Sequence, residues 1–323
     1  MLLTFVEHDH GTVGEVALEA LTAGHGVAAG LGVAHEAVLV GAGAQDAIAA
    51  ISDHGITRAH VVGHASLDAY TPQAYADGIV QLMDELAPEA VLAPGSEKGN
   101  EVLAHVAART DLPMAAHCTE VATGDVWRLT RLRWGGSLLE EAELDAPTKL
   151  VTLAPHAFPA AAVDAAGVDA VEVVPFEPAL DDAALRTRVI DHEPEGAGVS
   201  LASAQVVVSG GRGVGSADGF AVLEELADLL GGAVGCSRVA TNNGWRSHRD
   251  QVGQTGTRIA PQLYIACGIS GATQHWVGCK DSKNILAINT DPEAPMVTKA
   301  EYALIGDVAE VVPAIVEEIR RRS

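Results

Sequence analysis

Short apolar runs take turns along this chain with longer amphipathic or alanine-rich stretches, and that rhythm sets the expected order of elements. Residues 2–8 (LLTFVEH) read as a strand, 15–32 (EVALEALTAGHGVAAGLG) as a helix and 36–43 (EAVLVGAG) as a buried strand. A helix over 44–55 ending on Gly55, a strand at 59–65, a helix at 75–89, a strand at 90–96 and a helix at 99–110 continue the series. Parallel neighbours need a crossover between them, so this spacing predicts a parallel, doubly wound sheet. From about residue 119 the pattern changes. Residues 126–144 (VWRLTRLRWGGSLLEEAEL) and 149–155 (KLVTLAP) predict antiparallel strands laid on the edge of that sheet.

The stretch from Pro175 to Gly198 is rich in proline, glycine and acids and reads as a linker. After it, AQVVVSG (204–210), AVGCSRVA (233–240), QLYIACGIS (262–270) and NILAINT (284–290) are short strands that each run into a loop of small or polar residues. Helices are expected at 218–232 and 308–322, the latter with Arg320, Arg321 and Arg322 at its negative dipole end. The fold class expected is therefore α/β, with two doubly wound parallel-sheet (Rossmann-like) domains over residues 1–193 and 194–323. Ligands of such sheets sit beyond the carboxyl ends of the strands.

Charge sharpens this division. The 323 residues include 43 acidic and 20 basic side chains, a formal net charge of −23. Residues 1–193 hold 29 acids and 9 bases, a balance of −20, whereas 194–323 hold 14 and 11, a balance of −3. So acidic a chain is repelled by nucleic acid and by anionic membranes, which excludes both as main partners. Only five of its basic residues are lysines, which fits either adaptation to high salt or a GC-rich genome. The N-terminal apolar run is too short for a signal peptide, and no apolar run reaches the roughly 18 residues of a membrane span, so no membrane insertion is expected. Cys118, Cys236, Cys267 and Cys279 form no CxxC pair and read as reduced thiols of a cytoplasmic protein.

The candidate chemistry sits in the C-terminal loops. Ser209-Gly-Gly-Arg-Gly-Val-Gly-Ser216 lies between a strand and a helix, and either cradles a phosphate with Arg212 beside it or is a tight turn. Arg238 follows a buried strand, where an arginine either pairs with a carboxylate or serves a site. Gln251-Val-Gly-Gln-Thr-Gly256 packs amides and a hydroxyl into six residues, suited to a polar ring edge or to a plain polar turn. Gly268-Ile-Ser-Gly-Ala-Thr-Gln-His275 lacks the G-x-S-x-G of a nucleophile elbow, and a Ser270–His275 dyad has no third member, so no catalytic triad is expected. Asn289 and Asp307 stand at a strand end and a helix start, able to cap a helix or hold an adenine edge. His60 and His64 do not share a helical face, and no metal site is expected. Pro94-Gly-Ser-Glu-Lys-Gly-Asn100 lacks the GK[ST] ending of a phosphate loop and reads as a turn. Trp127 and Trp134 fit either core or partner surface.

The ordered series SGGRG, VGCSR, QVGQTG, APQLYIACGISGATQH, AINTDPEAP and GDVAEVVP resembles the α subunit of electron transfer flavoprotein, densely over residues 205–313. The N-terminal half is similar more loosely, through VLAPGSEKGNEVLAHVAARTDLP and RLRWGGSLL. Cys236, Cys279 and Glu301-Tyr-Ala depart from the usual residues, and TNNGWRSHRD before QVGQTG differs in detail. The resemblance implies one FAD per αβ heterodimer, held mainly by the second domain, with AMP or a second FAD in the β subunit. It implies Arg212 at the pyrophosphate, Asn289, Asp307 and Val308 at the adenosine end, and Ser270, Gly271, Ala272, Thr273 and Gln274 along the ribityl and phosphate chain. Val252, Gly253, Gln254 and Thr255 would border the isoalloxazine ring, with Ser237 and Arg238 against it and His275 near its N1/O2 edge. Such a protein is a carrier rather than an enzyme, taking electrons from dehydrogenases, acyl-CoA dehydrogenases above all, and passing them to a membrane quinone reductase. The bifurcating, NADH-oxidising type is an alternative within the family. An NAD-dependent enzyme of deoxyhypusine-synthase or sirtuin-like fold is one outside it, without the expected catalytic lysine or zinc cysteines. On this reading the −20 half packs on the β subunit, and the −3 half is near neutral because its arginines offset the cofactor.

Overall fold

The computed structural model describes residues 1–163, 171–189 and 200–322. The chain forms two compact units, Met1–His192 and Glu193–Ser323. The expected boundary at residue 193 and the linker from residue 190 to 198 lie outside the described residues.

The first unit carries a nine-stranded sheet. Its strands are β1 (Leu2–Phe5), β2 (His35–Val40), β3 (Arg58–Val62), β4 (Ala90–Pro94), β5 (Met114–Ala122), β6 (Trp127–Arg133), β7 (Leu138–Leu144), β8 (Lys149–Leu153) and β9 (Glu172–Phe176). They lie in the order β9-β3-β2-β1-β4-β8-β5-β6-β7. Helices α1 (Glu15–Leu31), α2 (Pro72–Leu86) and α3 (Glu97–Thr110) connect the parallel strands. Every residue of β1 is buried, as expected of a central parallel strand covered on both faces.

Three expectations are corrected here. Residues 149–155 were expected to be antiparallel and at the edge, but β8 runs parallel between β4 and β5, with Leu150 opposite Val91 and Met114. Its apolar sequence suits the sheet centre, while the hairpin β6–β7 is the antiparallel edge, from Trp127 opposite Leu144 to Arg133 opposite Leu138. The expected linker begins inside β9, which pairs with β3, and continues with Ala184 packed in the core of this unit. The helix expected over 44–55 shrinks to one turn, Ile48–Ile51, because the backbone around it closes tighter i to i−3 bonds, Asp46 N–H to Gly43, Ile48 N–H to Gln45 and Ala50 N–H to Ala47.

The second unit is a five-stranded, all-parallel sheet of β10 (Val206–Gly210), β11 (Ala233–Cys236), β12 (Leu263–Cys267), β13 (Ile285–Asn289) and β14 (Tyr302–Ile305). The order is β11-β10-β12-β13-β14, so the winding reverses between β10 and β12. Helices α4 (Ala221–Leu229), α5 (Arg238–Asn242), α6 (Thr273–Trp276), α7 (Pro295–Lys299) and α8 (Val308–Arg322) flank it. Val308, Val312 and Val316, spaced by four, bury one face of α8. Both fold halves thus match the doubly wound α/β class expected from the alternation.

Candidate functional site

At the reversal point of the second sheet, beyond the strand ends, lies a crevice of about 520 Å³. That volume is in the ordinary range for small-molecule sites, in the place where open α/β sheets bind ligands. Each strand contributes through the loop that follows it. The turn after β10 brings Arg212 and Gly213, the end of β11 brings Ser237 and Arg238, the loop after β12 brings Gly268, Ser270, Ala272, Gln274 and His275, and β13 ends on Asn289.

Close backbone approach holds the loops together. A Cβ at Gly213 would meet Gly268 Cα at 2.7 Å, and Gly268 itself has a φ of +64°. Gly211 donates its N–H to the Cys267 carbonyl at 2.9 Å and Gly213 to that of Gly268 at 3.0 Å. These N–H groups are therefore spent inside the protein, and the glycines serve loop packing rather than an open phosphate cradle. What the turn offers a ligand is the Arg212 side chain.

The electrostatics favour an anion. Arg212 and Arg238 are both exposed at the crevice and, among the described residues, neither forms an ion pair. The Ser237 hydroxyl, nine-tenths buried, lacks a hydrogen-bond partner among the described residues, although the residue occupies the cap position of α5. His275 is 7% exposed, and its Nε2 lies 2.7 Å from the hydroxyl of Tyr264, a fully buried residue of β12. Burial pushes the His275 imidazole down to about 4, against the raising effect of the Val252 carbonyl. The ring is therefore neutral at physiological pH.

The remaining expected residues lie around the crevice or away from it. Val252 is buried and donates to the Cys236 carbonyl at 2.9 Å, and Gly253 is buried beside it. Gln254 donates its N–H to the Gln274 carbonyl at 2.7 Å, tying the 251–256 loop to α6. Gln254 and Thr255 have exposed side chains, and Thr255 accepts from buried Gln251 at 2.9 Å. Gly271 is packed against Met296, and Thr273 is exposed at the start of α6. Asn289 is held at both ends, its Nδ2 donating to the Ile269 carbonyl and its Oδ1 accepting from Asp291 N–H, each at 3.0 Å. Asp307 accepts from Ala309 N–H at 2.9 Å and caps α8, while Val308 is in the core. Neither lines the crevice in this unit. Thr290, Asp291 and Asn242 line it without having been expected, and nothing in their local sequence marks them out. Tyr264 also escaped notice, although a phenol inside the otherwise apolar run LYIAC is a signal that something polar must receive it.

The first unit has its own crevice of about 340 Å³ near the ends of β1 and β2, lined by Glu7, Asp9, Asp68 and Lys98 among others. There the cap of α3, Ser96, hydrogen-bonds the Glu7 carboxylate and accepts from Gly99 N–H at 2.9 Å. A helix start already facing its own carboxylate does not invite a second anion. Trp127 is core and Trp134 is exposed, which settles the two tryptophans. All four cysteines are buried and free, their thiols pushed up to about 12 by burial. Among the described residues there is no cluster able to hold a metal ion, and no helix is long and apolar enough to cross a membrane.

Two family profiles match the chain: "Electron transfer flavoprotein domain" over residues 2–179 and "Electron transfer flavoprotein FAD-binding domain" over residues 200–280. The chain belongs to the electron transfer flavoprotein α-subunit family. It is 35% identical to the electron transfer flavoprotein subunit alpha of Thermoanaerobacterium thermosaccharolyticum, over 98% of this chain and 97% of that one. It is 37% identical to the subunit alpha of Mycobacterium leprae, over 99% and 98%. Protein FixB of Clostridium saccharobutylicum is also 37% identical, over 98% and 95%. The family is one of electron carriers rather than substrate-turning enzymes, and the matched domain is its FAD-binding domain. The crevice fits that anionic cofactor: among the described residues it offers two guanidinium groups without an ion pair and a buried serine hydroxyl without a hydrogen-bond partner.

Proposed function

We propose that this chain is the FAD-binding subunit of a heterodimer with an electron transfer flavoprotein β subunit. In this reading it accepts electrons from dehydrogenases, acyl-CoA dehydrogenases among them, and passes them to a membrane quinone reductase. The observation that carries the reading is the crevice at the reversal of the second sheet, where Arg212 and Arg238, without an ion pair among the described residues, stand beside a neutral, buried His275. When bound, FAD supplies the redox centre, taking up and releasing electrons one at a time.

The chain's own residues do the rest. Arg212 offsets pyrophosphate charge with a bidentate guanidinium. Arg238 stands ready at the crevice as a fixed cation, and a cation beside a ring that gains an electron favours the reduced form. Ser237 offers its unused hydroxyl as a hydrogen-bond donor. Asn289 fixes the loop after β13 against the loop after β12, so the crevice walls keep their spacing. Residues 251–256, tied to α6 by Gln254, form a polar border beside them.

The test is co-expression with the β subunit, followed by an absorbance spectrum and a count of FAD per heterodimer. A yellow complex with one FAD, reduced by an acyl-CoA dehydrogenase and its substrate, is expected. A colourless complex sinks the reading. Two FAD per heterodimer with NADH oxidation replaces it by the bifurcating type.

A further inference from the structure

The chain fixes which ring nitrogen of His275 carries the proton. Tyr264 is 0% exposed in the middle of β12, and a buried phenol must place its O–H on an acceptor or lose the full desolvation cost. The imidazole Nε2 is 2.7 Å away. Among the described residues no other group hydrogen-bonds the phenol oxygen, and even the Ser209 hydroxyl on the neighbouring strand β10 is buried without a partner, so the phenol's proton has Nε2 of His275 as its acceptor. The other ring nitrogen, Nδ1, is buried without a hydrogen-bond partner among the described residues. A neutral imidazole whose Nε2 accepts the phenol's proton carries its own on Nδ1.

We propose that Tyr264 is a positioning residue whose hydroxyl donates to Nε2 of His275 and holds the imidazole as its Nδ1–H tautomer. The crevice then contains a neutral N–H donor beside the two cations Arg212 and Arg238, rather than a third cation. A neutral donor strengthens its hydrogen bond as negative charge develops beside it, without repelling Arg238 beforehand. Its tautomer is preset, so no proton has to move within the ring when a ligand arrives. The link to redox tuning rests on the FAD reading above; the tautomer itself does not.

The first arm of the test uses the full chain labelled with ¹⁵N-histidine, with the His275 signals assigned by their loss in His275→Gln. Nδ1 is expected to be protonated and Nε2 unprotonated in the wild type, and Tyr264→Phe is expected to shift the ring towards the Nε2–H form. An Nε2–H ring in the wild type overturns the proposal, and so does an unchanged Nδ1–H ring in Tyr264→Phe. The wild-type measurement requires no phenylalanine variant to fold. The second arm uses the FAD-loaded complex with the β subunit. Tyr264→Phe is expected to shift the flavin midpoint potential, and the shift is expected to vanish in a His275→Gln background. Equal shifts in both backgrounds overturn the proposal, because Tyr264 then acts without His275. A complex that takes up no flavin sinks the functional reading and leaves the tautomer result standing.

Discussion

Arg238 and Asp307 were equally open in the sequence, and their surroundings separate them. Asp307 satisfies the start of α8 by accepting from Ala309 N–H at 2.9 Å, the ordinary work of a helix cap. Arg238 has a cap-position serine before it and no carboxylate to pair with among the described residues, so its charge is left for a ligand. Arg238→Ala is accordingly expected to lower the flavin midpoint potential by on the order of 60 mV, about a tenfold change for a one-electron couple. Arg238→Lys should stay closer to the wild type. Reductive titration of the loaded complex measures both, and an unchanged potential in Arg238→Ala removes this residue from the ring's side. Sequence alone could find such residues because they sit where an apolar run stops, and a strand end is visible in a linear pattern. It could mark the Tyr264 phenol as polar within an apolar run but not name its partner, because that depends on His275, eleven positions later, being folded back over it at 2.7 Å.

Elements obey the same division between local and non-local causes. The alternation of strands and helices was legible because each element carries its own periodicity. The place of β8 was not, because its neighbours β4 and β5 are chosen by pairing across the chain, which leaves no mark on KLVTLAP itself. Close approach between loops is similarly hidden until the turn after β10 is seen against Gly268. Gly268→Ala adds a Cβ within 2.5 Å of Gly213 Cα at a φ of +64°. It is expected to destabilise the second unit by roughly 1–3 kcal/mol and to speed FAD loss. Denaturation midpoints and flavin release check this, and wild-type values for both refute the packing argument. In the first unit, burial pushes His35 on β2 down to about 3, with His25 and His54 adding repulsion. The unfolded chain binds that proton near the ordinary value of about 6.5, so in between it holds more protons than the folded chain. Stability therefore falls as pH drops through that window, by up to about 1.4 kcal/mol per pH unit from this group. Urea midpoints measured from pH 7 down to 4.5 should fall less steeply in His35→Gln than in the wild type. Parallel slopes would show that His35 does not carry the effect.

For the whole molecule, charge locates less than the sequence suggests, and apolar exposure locates more. The near neutrality of residues 194–323 is largely internal: Arg246 pairs with Glu224 and Asp250, Arg320 with Glu225, and Arg321 and Arg322 with Glu318. Only Arg212 and Arg238 of its arginines line the crevice, so in the proposed reading the cofactor would be met by two side chains rather than by the domain's overall balance. The acidic first unit has a different irregularity. Its edge hairpin presents Trp134 at 80% exposure, with Leu138 at 55% and Leu139 at 70%. Large apolar side chains exposed on an open antiparallel edge are costly in water and invite association, which a partner subunit would relieve. Trp134 makes little use of its own fold, so Trp134→Ala should move the stability of the isolated chain by no more than about 0.5 kcal/mol. If the hairpin meets the proposed β subunit, the same change removes an aromatic anchor, and affinity should fall at least tenfold, about 1.4 kcal/mol. Arg128→Ala on the same hairpin, an exposed side chain whose contact is a surface ion pair with Glu143, should change affinity by much less. Titration of both variants with the β subunit separates the cases. Equal affinities for wild type and Trp134→Ala would assign the exposed apolar edge to some other contact and leave the β subunit docking elsewhere.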